Sequence, residues 1–158
     1  MGYAEKMKRT TGQFSLPVRD KKLIEELIPH RDPVMLIDSL DGYEDNKAVS
    51  RFSVRADCLF VKNSVFSEVG LLENMAQTAA LHRGYKGKLS GKKPQIGFIA
   101  TVKKFEVSGS ALVGDQLETE IRITFSAMNM TVTEGQVKLN GECIATATMA
   151  TVIKAVED

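Results

Sequence analysis

Glu73 stands in the early turns of a segment that is mostly apolar and rich in alanine, Phe66-Ser-Glu-Val-Gly-Leu-Leu-Glu-Asn-Met-Ala-Gln-Thr-Ala-Ala80. A carboxyl beside apolar surroundings tends to hold its proton more firmly, which suits it to proton transfer. Gln77 lies one helical turn further on, where an amide either orients that carboxyl or bridges to a second subunit. The N–H groups of Val69, Gly70 and Leu71 fall at a helix start, where the helix itself supplies no acceptor. They are therefore natural donors to an oxygen of a bound ligand. Gly70 also has no side chain to block close approach. On spacing alone, a solvated acid favoured by the helix dipole is the plainer reading of Glu73.

Two histidines complete the titratable set near neutral pH. His30 sits in a turn bounded by Pro29 and Pro33, where a side chain can be aimed. It reads either as a general base or as a structural group at a strand start. His82 follows Glu73 by nine positions, about 13 Å along a helix axis and on another side, so it is expected at the surface or an interface. Arg31 and Asp38 are expected to pair and pin the first strand, and Asp115 to serve a turn after Gly114. Cys58 carries no mark of an activated nucleophile. Met35, Met75, Phe60, Phe66 and Phe98 line a tunnel for an apolar ligand or fill ordinary core.

These residues need elements to hold them. Residues 1–17 read as a flexible arm and 18–158 as one domain. Asp20 to Ile28 is a short amphipathic helix with Asp20 as its N-cap. Val34 to Asp38 has strand length, Asp41 to Asn46 reads as a turn, and Lys47 to Arg55 alternates as a second strand. Ala56 to Phe66 looks irregular. A long helix spans about Glu68 to about Tyr85, followed by a basic loop from Lys86 to Pro94. Strands are expected over Gln95 to Val107, Gln116 to Ala127, Thr131 to Leu139 and Glu142 to Ile153, with Asn140-Gly141 as a hairpin turn. A helix followed by consecutive strands predicts an α+β fold, an antiparallel sheet wrapped around the helix.

The bulk numbers narrow the function. The chain has 158 residues and a formal net charge of +1, which argues against a nucleic-acid or anionic-membrane partner. Trp is absent, and there is no aromatic ladder for single strands. No apolar run approaches the ~20 residues of a membrane span. Met1 to Thr11 lacks the apolar centre of a signal peptide. Cys58 and Cys143 have no metal spacing and read as reduced thiols of a cytoplasmic protein.

Three segments resemble those of the 3-hydroxyacyl-(acyl carrier protein) dehydratases. Ile28-Pro-His-Arg-Asp-Pro-Val-Met-Leu-Ile-Asp38 is similar to their opening segment, and Phe66 to Gln77 to their central-helix segment ending in Glu-x-Met-Ala-Gln. Gly97-Phe-Ile-Ala, Lys104-Phe and Val113-Gly-Asp-Gln-Leu117 are similar to the third. The resemblance implies a hotdog fold and a homodimer or higher oligomer with sites shared across the dimer. It also implies a substrate held as a thioester on the phosphopantetheine of acyl carrier protein or on coenzyme A, with no separate cofactor or metal. Acyl carrier proteins are acidic, so the basic loop at Lys86, Lys88, Lys92 and Lys93 is either their docking point or a plain solvated loop.

One departure matters. The dehydratases carry Gly-His-Phe-Pro-Gly before the central helix, and that His is their catalytic base. Here Leu59-Phe-Val-Lys-Asn-Ser-Val-Phe66 has no His. A subset tied to aryl-polyene or flexirubin-type pigments also lacks it, and this chain looks closer to that subset. The expected activity is dehydration of a carrier-bound 3-hydroxyacyl thioester to the trans-2-enoyl product, with Glu73 and His30 catalytic and Val69, Gly70 and Gln77 binding substrate. The alternatives are an acyl thioesterase on the same fold, where Glu73 handles water, and a non-catalytic acyl-binding subunit.

Overall fold

The structure is a computed structural model that describes residues 14–93 and 95–154. Its elements are α1 (Lys21–Leu27), β1 (Ser39–Glu44), β2 (Lys47–Ser53), β3 (Val61–Lys62), β4 (Val65–Phe66), α2 (Glu68–Leu89), β5 (Gly97–Val107), β6 (Ala111–Leu112), β7 (Gln116–Ala127), β8 (Met130–Leu139) and β9 (Glu142–Ile153). The main sheet has six strands in the order β1-β2-β7-β8-β9-β5, every pair antiparallel. The short strands β3, β4 and β6 form a second sheet. The main sheet curls round α2, the hotdog arrangement. No helix among the described residues is long and apolar enough to cross a membrane.

Local chemistry sets the element ends. Asp20 caps α1, its Oδ1 accepting from the N–H of Lys22 and Leu23. Ser67 caps α2, with Glu68 in the first turn and Lys86 and Lys88 in the last, all favourably placed in the helix dipole. Asn140 and Gly141 both have positive φ, 51° and 83°. They form the expected two-residue turn between β8 and β9, whose end residues Leu139 and Glu142 pair.

Two apolar clusters flank α2. Leu71 and Met75 pack with Phe52, Phe66, Leu117, Val137 and Met149. Leu81 and Tyr85 pack with Phe14, Ile24, Leu27, Leu40 and Ile121. Each fully buried large side chain among these contributes about 1.5–3 kcal/mol relative to exposure. Small residues let the layers close up. A Cβ on Gly84 would fall 1.8 Å from the Leu27 carbonyl oxygen, so α1 and α2 touch backbone to backbone there.

The structure departs from the sequence reading in several elements. Val34 to Asp38 is not a strand. Side chains of α2 take up the polar backbone of residues 34–36, so no neighbouring strand does. The first strand is instead Ser39–Glu44, and the turn shrinks to Asp45-Asn46. The stretch expected to be irregular contains β3 and β4. The helix runs to Leu89, so Lys86 and Lys88 belong to its last turn rather than to a loop. Residues 1–13 of the expected arm lie outside the described residues. Phe14 is buried, its carbonyl accepting from the Tyr85 hydroxyl at 2.9 Å.

Candidate active site

The segment between α1 and β1 folds as a knot of turns against α2. Val34 and Met35 N–H groups both donate to the Arg31 carbonyl, which curls residues 31–35 and sets His30 beside the helix. Arg31 holds the turn from outside, donating to the carbonyls of Ile28, His30 and Glu25. Asp38 does not pair with it, contrary to expectation. Asp38 accepts from Arg55 Nη1 and the Ser53 N–H, because β2 rather than the turn lies beside it.

His30 and Glu73 meet within one chain. Nε2 of His30 lies 3.9 Å from Oε1 of Glu73, and each side chain is 27% exposed. Gln77 reaches back one turn and donates from Nε2 to that same Oε1 at 2.9 Å. Its second amide hydrogen goes to the Val34 carbonyl at 2.9 Å, and its oxygen accepts from the Leu36 N–H at 2.7 Å. The Leu36 N–H can only donate and the Val34 carbonyl only accept, so the orientation of the amide is fixed by its partners. Gln77 therefore joins the acid to the very segment that carries the imidazole.

Asn74 repairs the rest of this seam, and the sequence reading passed over it. Its amide donates to the Leu36 carbonyl at 2.8 Å and its oxygen accepts from the Thr119 hydroxyl on β7. Thr78 donates to the Asn74 carbonyl and meets Ser50 of β2 at 2.7 Å. All are buried. The one available signal was an amide in an apolar helix stretch. Asn74→Leu leaves a buried carbonyl and hydroxyl unpaired, and is expected to cost about 2 kcal/mol or more of stability. Urea unfolding checks this, and an unchanged midpoint would show that the seam closes without Asn74.

Burial pushes the His30 pKa below the ordinary value, against the pull of Glu73 and with help from Arg31. The ring is thus neutral at pH 7. Nδ1 is enclosed with no hydrogen-bond partner among the described residues, so no group behind the ring fixes its tautomer. His82, expected at the surface, is buried: Nε2 lies 3.0 Å from the Glu44 carbonyl and the ring stacks on Tyr43. Tyr43 and Glu44 of β1 cover that side of α2. Burial lowers its pKa as well.

The two lowered values give a stability prediction. As pH falls through the ordinary histidine value near 6.5, the unfolded chain takes up protons that the folded chain refuses. Stability is therefore expected to fall between pH 7 and the lower folded values. Urea midpoints at pH 7.5 and 5 measure it, and His82→Asn should flatten the slope.

Other expected site groups fare differently. Gly70 meets Phe66 and Phe60, within 2.9 Å of where a Cβ would stand. Its N–H, however, donates to the capping Ser67 Oγ at 3.0 Å, and the Leu71 N–H donates to the Ser67 carbonyl. The cap consumes two of the three expected thioester donors. The Val69 N–H has no acceptor among the described residues, and its side chain is exposed. Met35, Met75 and Phe66 are core, whereas Phe98 on β5 is exposed. The cavities of about 370, 410 and 240 Å³ among the described residues are lined by groups other than Glu73 and His30. Asp115 accepts from the Leu112 N–H and is a turn residue, as expected. Among the described residues no three His, Cys, Asp or Glu side chains gather as metal ligands.

The chain is similar to proteins of known family and fold. A family model described as ApeP dehydratase matches residues 22–157. The 3-hydroxyacyl-[acyl-carrier-protein] dehydratase FabZ of Aliivibrio fischeri is 28% identical over 130 residues, covering 78% of this chain and 86% of its own. Among solved structures, the dehydratase heterocomplex ApeI:P from Xenorhabdus doucetiae superposes with a TM-score of 0.78 at 17% identity, over 84% of this chain and 91% of its own. A hypothetical thioesterase from Streptococcus pneumoniae TIGR4, solved with coenzyme A, gives a TM-score of 0.56 at 11% identity, over 75% and 87% of the two chains. The last two likenesses speak to the fold alone.

Proposed function

The chain belongs to the ApeP-like dehydratase family, and from that premise we propose that it removes water from a 3-hydroxyacyl thioester carried on acyl carrier protein, in fatty-acid or polyene synthesis. The observation that carries the site assignment is the His30–Glu73 pair, 3.9 Å apart and tied together through Gln77.

The reaction requires a base at the carbon next to the carbonyl and an acid at the departing hydroxyl. In our reading the neutral His30 Nε2 accepts the α-proton. Glu73 is placed to hand a proton from Oε2 to the departing hydroxyl, which leaves as water while the carbon–carbon double bond forms. The imidazolium proton then returns to the Oε2 side of the carboxylate by way of solvent, to which both side chains are open, and the pair is reset. Gln77 keeps the carboxyl aimed, and the Val69 N–H is the remaining helix-start donor for the thioester oxygen. Burial supports the base role, because it keeps His30 in its free-base form at neutral pH.

The substrate brings its own pantetheine arm, so the proposed reaction needs no further cofactor. A second copy is the partner we propose for β5, an edge strand whose Phe98, Ile99 and Val102 are exposed. The compartment proposed is the cytoplasm, which two free thiols support. A thioesterase would need only the carboxyl and water, and an imidazole against that carboxyl favours dehydration.

The test offers the protein a 3-hydroxyacyl carrier protein and follows two products. Enoyl thioester with no free thiol is expected. Release of free thiol instead would make it a thioesterase. Tight binding without either product would leave an acyl-binding subunit.

A further inference from the structure

The imidazole of His30 is not fixed by bonds of its own. Nδ1 is enclosed without a partner among the described residues, and Nε2 stands 3.9 Å from Glu73 Oε1, beyond hydrogen-bond length. Its place therefore depends on the backbone that carries it. Beyond the ring that backbone is held by Gln77, which bonds the Leu36 N–H and the Val34 carbonyl. Before the ring it is held by Arg31, for a reason written into the sequence. α1 has no basic residue in its last turn. The Glu25 carbonyl would ordinarily accept from the N–H four positions on, but position 29 is proline, which has none. Arg31 Nη2 donates to that carbonyl at 2.9 Å. Nη1 donates at 2.8 Å both to the Ile28 carbonyl and to the carbonyl of His30 itself. One guanidinium thus ties the end of α1 to the peptide that bears the imidazole.

An exposed arginine usually contributes little, and the Arg31–Glu25 ion pair, 3.8 Å long at the surface, is of that kind. Three carbonyl bonds from one planar fork are different, because the fork fixes the directions of its acceptors and a lysine cannot copy it. We propose that Arg31 is a positioning residue for His30, holding the imidazole against Glu73 where proton abstraction needs it. The proposal rests on the dehydration reading above. A displacement of about 1 Å at a reacting group costs on the order of 100-fold in rate. The ring's surroundings also report its place. Burial holds the His30 pKa below the ordinary value, with help from the Arg31 charge and against Glu73 on α2. A ring released from its place regains water and titrates at higher pH, even where the charge at position 31 is kept.

The test compares Arg31→Gln, which removes fork and charge, with Arg31→Lys, which keeps the charge alone. With a 3-hydroxyacyl carrier-protein thioester, kcat per folded molecule is expected to fall about 10–100-fold in both, with KM within about 3-fold of the parent. The chain has two histidines, so labelled imidazoles give two titrating NMR signals, and His82→Asn identifies that of His30. Its midpoint is expected to rise in both variants. In Arg31→Lys the charge is unchanged, so a rise there reports the ring leaving its buried place. Parental kcat and an unmoved midpoint in Arg31→Lys, beside a lowered melting temperature, would reduce Arg31 to a helix cap and overturn the proposal. A raised KM at parental kcat would overturn it too, since the guanidinium would then be meeting the carrier. The titration needs no turnover. An inactive wild type would sink the dehydration reading, and the His30 midpoint in Arg31→Lys would still decide for or against Arg31.

Discussion

Glu73→Gln is expected to cut kcat/KM for dehydration by about 10²–10⁴-fold while leaving the unfolding midpoint near that of the parent. The side chain is partly exposed and the amide is of equal size, so the Gln77 bond to Oε1 keeps an acceptor. What disappears is the transferable proton. His30→Ala is expected to fall in the same range, and the double variant little further, because two groups that hand one proton between them act as a unit. Steady-state rates with a 3-hydroxyacyl thioester, beside thermal unfolding curves, separate chemistry from folding. Near-parental turnover in Glu73→Gln would remove that carboxyl from the reaction. Near-parental turnover in His30→Ala would leave Glu73 to work with water.

Gly84→Ala should produce the largest loss of stability of any single methyl added to the chain. The new carbon would land 1.8 Å from the Leu27 oxygen and 2.7 Å from its carbonyl carbon. Both are backbone atoms at the end of α1, so no rotamer change relieves the clash. The helices must part, and overpacking of this kind costs roughly 1–3 kcal/mol and occasionally more. Leu27 is followed by the turn that carries His30, so the same shift should move the imidazole away from Glu73. The variant is expected to lose activity out of proportion to its remaining folded fraction. An unchanged melting temperature would mean that α1 is not seated on α2 as described.

The fold was largely legible because its signals are periodic or local. Alternation gave β7, β8 and β9 nearly to the residue, and Asn140-Gly141 announced its turn. The apolar, alanine-rich stretch announced α2, although its last turn was hidden among lysines that read as loop. Residues 34–38 were misread for a physical reason. An apolar run looks the same whether its backbone bonds to a strand or to side chains, and here Gln77 and Asn74 replace the strand. His82 was misplaced because helical spacing fixes an angle around α2 but not how far the sheet wraps. Of the site, Glu73 and Gln77 were visible as a pair one turn apart. Their approach to His30 was not, since it depends on a tight turn whose Leu36 lies 41 positions before Gln77 in the chain.

The fixed amide of Gln77 also carries a stereochemical consequence. With Oε1 committed as acceptor, an acidic hydrogen on Glu73 must ride on Oε2. The imidazole and the carboxyl flank one another, so both would address a bound chain from a single side. The hydrogen and the hydroxyl should then depart from the same face of the new alkene, a syn elimination. Stereospecifically deuterated substrate would display it as retention or loss of label in the enoyl product.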